Sequence, residues 1–139
     1  GSPLKPLAKI ASGGEIARVM LGIKNVLADK DDIDTLIFDE IDTGVSGRAA
    51  QKIGMKLHQV AQTRQVVCVT HLAQIASQAE RHILIEKTVD KAKTFTQLHT
   101  LNFEGRKREL ARIIGGVNIT DITLQNAEEM LSLVGIKCD

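Results

Sequence analysis

The sequence predicts an α/β fold: a mainly parallel sheet flanked by helices, with an antiparallel hairpin at its edge. Three observations carry this. Apolar residues recur at helical spacing in several stretches, two short runs are continuously apolar over strand length, and the two patterns alternate as helix, strand, helix, strand. The chain has 139 residues, 43% of them hydrophobic and 25% charged, within the range of ordinary globular proteins. A chain of that size buries roughly two-thirds of its unfolded surface without needing disulfides or metals, which makes one domain the expected count.

Both prolines, Pro3 and Pro6, fall in the first six residues and predict an extended start. From Ile16, the residues Val19, Met20, Ile23, Val26 and Leu27 predict an amphipathic helix to about Ala28, ended by the charged cluster Asp29 to Asp32. Thr35-Leu36-Ile37-Phe38 reads as a strand buried on both faces, with Asp39-Glu40 emerging at its end. Gly44 and Gly47 predict a turn; Ala50, Ile53, Leu57, Val60 and Ala61 predict a second helix; Gln65 to Thr70 predicts a second buried strand that ends at His71. A strand, crossover helix and strand form a right-handed parallel unit, so both strands should end on one sheet edge and bring Asp39, Glu40 and His71 together. Ligands of open α/β sheets bind at that edge. A short helix through Leu72 to Ala79, strands over His82–Val89 and Thr94–Leu101, a helix around Leu110 to Ile114 stopped by Gly115-Gly116, and a helix from about Asp121 to Leu133 complete the reading.

Eighteen Lys and Arg against seventeen Asp and Glu leave a net charge of +1, so no overall field selects nucleic acid or an anionic membrane. With no Trp, no Tyr and three Phe, a base-stacking surface is excluded. Cys68 and Cys138 have neither metal-ligand spacing nor a disulfide pattern, which fits a reducing compartment. No run approaches the ~20 apolar residues of a membrane span. Gly1-Ser2 reads as a cloning scar, and the chain as a piece of a longer one.

Three places carry chemistry. In Ala11-Ser12-Gly13-Gly14-Glu15, Ser12 and Glu15 have capping-box spacing, which alone explains both; the paired glycines also let a phosphate approach amides at the positive end of a helix. Asp39 and Glu40 are either two solvated carboxylates or a pair that divides labour, one holding hydrated magnesium and the next orienting and deprotonating a water. His71 alone reads as structural; beside that pair it becomes a candidate for chemistry, whereas His58, His82 and His99 read as surface or edge residues. Gly44-Val45-Ser46-Gly47-Arg48 lacks the spacing of a nucleophile elbow. Arg106-Lys107-Arg108, set between Glu104 and Glu109, reads as a solvated helix start.

In this order the segments resemble the second half of an ABC-type ATPase head. ASGGE resembles the signature motif, Leu36-Ile37-Phe38-Asp39-Glu40 the Walker B strand, Gly44-Val45-Ser46-Gly47 the D-loop, and His71 the switch histidine. Asp39-Glu40-Ile41-Asp42 resembles the SMC-like branch of chromosome maintenance and repair. FDEIDTGVSG, VTHLAQIA and ELARIIGG resemble the carboxyl-terminal part of the RecN family of bacterial double-strand-break repair proteins. The resemblance implies that residues 3–139 form the carboxyl-terminal lobe of an ABC-type P-loop ATPase head. It implies ATP and magnesium as cofactors, with Asp39 holding the metal through water and Glu40 the general base. His71 would meet the γ-phosphate, and Ser12, Gly13, Gly14 and Glu15 would complete, in trans, a site on a second head.

The implied partners are an amino-terminal lobe of the same protein, a second head in an ATP-sandwiched homodimer, and DNA through the full-length protein, in the bacterial cytoplasm at the nucleoid and not at a membrane. Two positions depart from the wider superfamily: Ala11 where leucine is commoner, and Ser46 where a D-loop aspartate is usual. No G-x-x-x-x-G-K-[ST] occurs, so the phosphate-cradling loop must come from the other lobe and this chain should be inactive alone. Two other readings stay open: an ATP-gated clamp with negligible turnover, and the head lobe of another SMC-like ATPase.

Overall fold

In the computed structural model, which describes residues 12–27, 32–90 and 93–135, the elements follow as α1 (Gly13–Val26), β1 (Thr35–Phe38), α2 (Gly47–Ala61), β2 (Gln65–Cys68), α3 (Ala73–Ala76), β3 (Ile83–Asp90), β4 (Lys93–Thr100), α4 (Phe103–Gly115) and α5 (Asp121–Leu133). The prolines, Ala11, residues 28–31, residues 91–92 and Cys138 lie outside the described residues. Against the expectation of one domain, the chain divides into two compact units, one through Ile75 and one from Ala76.

The first unit is the predicted parallel β-α-β motif. β1 and β2 pair in parallel from Thr35↔Gln65 to Phe38↔Cys68, and the Val69 amide extends the ladder to the Phe38 carbonyl at 2.9 Å. Leu36 and Phe38 enter a core with Leu21, Ile41, Ala50, Leu57, Val60 and Ile75. α1 begins three residues earlier than its apolar stripe because Ser12 and Glu15 close a capping box: the Glu15 amide donates to Ser12 Oγ at 3.3 Å and the Ser12 amide to Glu15 Oε2 at 2.8 Å.

One expectation is corrected. β1 is buried on a single face: Leu36 is 8% exposed but its neighbour Ile37 is 73% exposed, with Val67 and Val69 also exposed. Period-two alternation sends these side chains to the other side of the pair, where nothing described covers them. The exposed apolar residues Val19, Met20 and Ile23 show that α1, too, is only partly covered. Between α1 and β1, Ala17, Met20, Lys24 and Ile37 border an open groove of about 260 Å³.

In the second unit β3 and β4 form the predicted hairpin, in register from Ile83↔Thr100 to Asp90↔Lys93, as a separate two-stranded sheet. Helices α4 and α5 pack through Leu110, Ala111, Ala127 and Leu131, all fully buried. α4 starts at Phe103 because the Asn102 side chain accepts from the Gly105 amide.

The basic cluster at its start is not uniformly solvated, as its composition had suggested. Arg106 is 4% exposed and donates to the carbonyls of Ser77, Ala79 and Glu80 at 3.4, 2.6 and 3.3 Å, tying off the chain after α3. Lys107 instead bonds Glu104 at 2.9 Å. Among the described residues, no helix is long and apolar enough to cross a membrane.

Candidate functional site at the carboxyl ends of the parallel strands

Because β1 and β2 are parallel and in register at Phe38↔Cys68, the segments after both strands leave on one edge. After β1 the chain makes a tight turn: the Thr43 amide donates to the Glu40 carbonyl at 3.0 Å and the Val45 amide to the Asp42 carbonyl at 3.2 Å. Gly44 (φ 72°) and Gly47 (φ 52°) supply the left-handed conformations that release the chain into α2. Ser46 is the N-cap residue of α2, with no hydrogen bond from its side chain to the helix.

Glu40 also lies in the left-handed region, with φ 57°, and no other described non-glycine residue has a positive φ. This conformation costs an L-residue about 1–2 kcal/mol, so something must hold it. Asp39 Oδ1 accepts from the Glu40 amide at 2.8 Å. Arg18, reaching from α1, donates to the carbonyls of Ile41 and Thr43 at 3.1 and 2.9 Å. The start of α1 closes the other side. A Cβ on Gly14 would lie 2.7 Å from the Glu40 carbonyl oxygen and 3.0 Å from Thr43 Cβ, and one on Gly13 would lie 2.7 Å from Glu40 Oε2. The paired glycines therefore let the backbone and carboxylate of Glu40 lie directly against the first turn of α1.

After β2, His71 is on the expected edge but has a different partner. Its Nδ1 lies 3.0 Å from Asp42 Oδ2, and among the described residues neither Asp39 nor Glu40 bonds to it. The same Asp42 oxygen accepts from Thr70 Oγ1 at 2.6 Å and from the His71 amide at 2.9 Å, while Thr70 Oγ1 accepts from the Leu72 amide at 3.1 Å. Asp42 is 3% exposed, whereas the His71 side chain is 75% exposed. Burial works against ionisation of Asp42, but the bonds from Thr70 and the His71 amide, together with the charge of the ring, hold its carboxyl below the usual range.

Sequence reasoning used Asp42 only as a mark of kinship and passed over Arg18. The available signal for Asp42 was a carboxylate just past one strand facing a Thr-His pair just past its in-register neighbour.

The remaining groups are chemically quieter. Cys68 has its thiol pushed up to about 11 by burial, then by Asp42 and Asp39, so it carries no thiolate at neutral pH. The Glu15 carboxyl is lowered, first by the hydrogen bond from the Ser12 amide and next by its hydroxyl, as a capping residue should be. His99 pairs loosely with Glu86 at 3.5 Å and His58 meets Gln62. His82 departs from a surface reading: its ring is half-buried, Nδ1 has no partner among the described residues, and burial followed by the charge of Arg106 lowers its basicity.

Among the described residues no three His, Cys, Asp or Glu side chains are grouped to hold a metal ion. Magnesium keeps several waters and is held by one or two carboxylates together with substrate phosphates, so exposed Asp39 suits a site shared with a nucleotide and not a self-contained metal cage.

This edge lies on a fold seen before. A solved structure described as "Structural biochemistry of ATP-driven dimerization and DNA stimulated activation of SMC ATPases" matches with a TM-score of 0.54 and 14% identity, covering 82% of this chain and 68% of that one. The fold class is accordingly α/β, shared with that solved structure.

No family model matches the chain. Curated proteins do: the DNA repair protein RecN of Bacillus subtilis is 47% identical over 131 residues, which cover 94% of this chain and 23% of that protein. RecN of Vibrio cholerae and of Streptomyces coelicolor are each 46% identical over 131 residues. Over nearly its whole length the chain is similar to the carboxyl-terminal part of RecN, and it spans about a quarter of the length of the curated relatives it matches.

Proposed function

We propose that this chain is the carboxyl-terminal half of an ATP-hydrolysing head in a RecN-type protein that repairs DNA double-strand breaks in the bacterial cytoplasm. The observation that carries the reading is Glu40, held in a left-handed conformation at the carboxyl edge of the parallel pair, with the signature-like glycines of α1 against it. Strain of that kind persists where a side chain must be aimed at a ligand. Glu40 is the general base that takes a proton from the attacking water. Asp39 would hold a water-bound magnesium ion, which when present screens the phosphate charge. His71 meets the γ-phosphate, and Ser12, Gly13, Gly14 and Glu15 form the turn offered to nucleotide on a second head, with Gly44, Val45, Ser46 and Gly47 beside it.

The amino-terminal lobe of the same protein supplies the phosphate-cradling loop. The uncovered apolar face at Ile37, Val67 and Val69, continuous with the groove along α1, is where it seats. ATP sandwiched between two heads joins them and hydrolysis releases them; DNA is bound by the whole protein. The relatives' description as DNA repair proteins and the neighbour's ATP-driven dimerization support this reading.

Replacing Glu40 by Gln in the intact protein tests it. Turnover should fall about 100- to 10,000-fold, the usual contribution of a general base, with ATP affinity retained. Turnover equal to wild type would reject Glu40 as the base and favour a clamp that works without hydrolysis.

A further inference from the structure

We infer that Asp42 is a positioning residue for His71: it holds Nδ1 of the ring as the hydrogen-bond donor and leaves Nε2 as the nitrogen presented to a ligand. The acceptor decides where the proton sits. An ionised carboxylate can only accept, so a ring nitrogen 3.0 Å from Asp42 Oδ2 must carry a proton. Asp42 is 3% exposed and lies in the turn anchored by Arg18, so it has little freedom to follow the ring; the exposed imidazole is fixed to the carboxylate and not the reverse. Two of the three donors that meet Oδ2, the Thr70 hydroxyl and the His71 amide, fix the backbone after β2, and the third fixes the ring.

One buried oxygen thus sets both where the histidine starts and which way its imidazole faces, as the carboxylate partner of a histidine commonly does. The chemistry follows from the geometry. A phosphate oxygen can only accept, so a ring that meets phosphate through Nε2 must be the imidazolium, its second proton held against Asp42 and its charge balanced there. This last step rests on the proposed ATPase reading; the tautomer does not.

The experiment has two arms. In this chain labelled with ¹⁵N-histidine, long-range proton–nitrogen correlation at pH 8.5 reads the tautomer of the neutral ring. His71 should be predominantly Nδ1–H in the wild type and predominantly Nε2–H, as in free imidazole, in Asp42→Ala. Asp42→Val, which likewise leaves no acceptor, serves the same purpose where the alanine variant does not fold. Thr70→Val, which removes a backbone anchor but not the ring contact, should leave the Nδ1–H form in place. In the intact protein, Asp42→Asn should lower kcat on the order of tenfold with KM changed less than about twofold, and adding it to His71→Ala should lower kcat no further, the non-additivity expected of residues that act as a unit.

A wild-type ring in the Nε2–H form, or an Nδ1–H form that survives loss of the carboxylate, would overturn the inference, as would additive effects on kcat. Failure of the proposed function is separable. If Glu40→Gln turned over like wild type while the His71 tautomer still depended on Asp42, the ATPase assignment would fall and the positioning would stand.

Discussion

At the residue scale, the site depends on two glycines with unequal tolerance. The Cβ of Gly14→Ala would press on backbone at the Glu40 carbonyl oxygen, whereas that of Gly13→Ala would meet only the movable end of the Glu40 side chain. Urea unfolding should show Gly14→Ala destabilised by about 1–3 kcal/mol and Gly13→Ala by less than about 1; equal effects would mean that Glu40 does not lie against the helix start. Two groups then contribute to the pH dependence of stability. The Asp42 carboxyl is lowered in the fold, so its contribution is present above its ordinary value of 3.8 and is lost as pH falls through the folded value. His82 is also lowered, from 6.5, by burial and then by Arg106, so between its folded value and 6.5 the unfolded chain binds more protons and stability falls with falling pH. Unfolding at pH 7 and 5.5 should show a loss that His82→Gln reduces, while a further loss below about pH 3.8 should be reduced by Asp42→Asn. The sequence showed Asp39, Glu40 and His71 on one edge, because strand ends can be counted. It did not show that the partner of His71 is Asp42, because that pairing depends on how the turn after β1 folds back, which Arg18, twenty-odd residues earlier in the chain, decides.

At the element scale, periodicity was enough to find the helices but not the start of α4, which the sequence placed only around Leu110 to Ile114. Ser12 and Glu15 start α1, Asn102 starts α4, and the α5 range Asp121–Leu133 is the one its sequence predicts. Burial of β1 was misread for a physical reason: a continuous apolar run fits a strand covered on two faces, but the described residues supply a cover for only one. Adjacent residues make the difference measurable. Leu36→Ala, at 8% exposure, should cost about 2–5 kcal/mol in this chain, whereas Ile37→Ser, at 73%, should stay within about 0.5 kcal/mol. A large loss at Ile37 in the isolated chain would show that face to be already covered. In the intact protein the Ile37 substitution should become costly if, as proposed, the amino-terminal lobe packs on it.

At the scale of the whole molecule, the fold class was legible because a β-α-β unit has one favoured handedness and so one functional edge. The division into two units was not, because each half carries enough apolar residues for its own core and composition cannot say where one core stops. Under the proposed function a net charge of +1 also takes on meaning, since the chemistry would be directed at a nucleotide and at protein surfaces, with DNA met by the complete protein. The central claim is that this chain is half of a catalytic head, contributing the base but not the phosphate loop. The measurement that tests it most directly is magnesium-dependent ATP hydrolysis by this chain alone, by its mixture with the amino-terminal lobe of the same protein, and by the mixture carrying Glu40→Gln. The expected result is no hydrolysis by the chain alone, hydrolysis by the mixture, and a loss of about 100-fold or more with the glutamine. Hydrolysis by the chain alone, or a glutamine mixture as active as wild type, would contradict it.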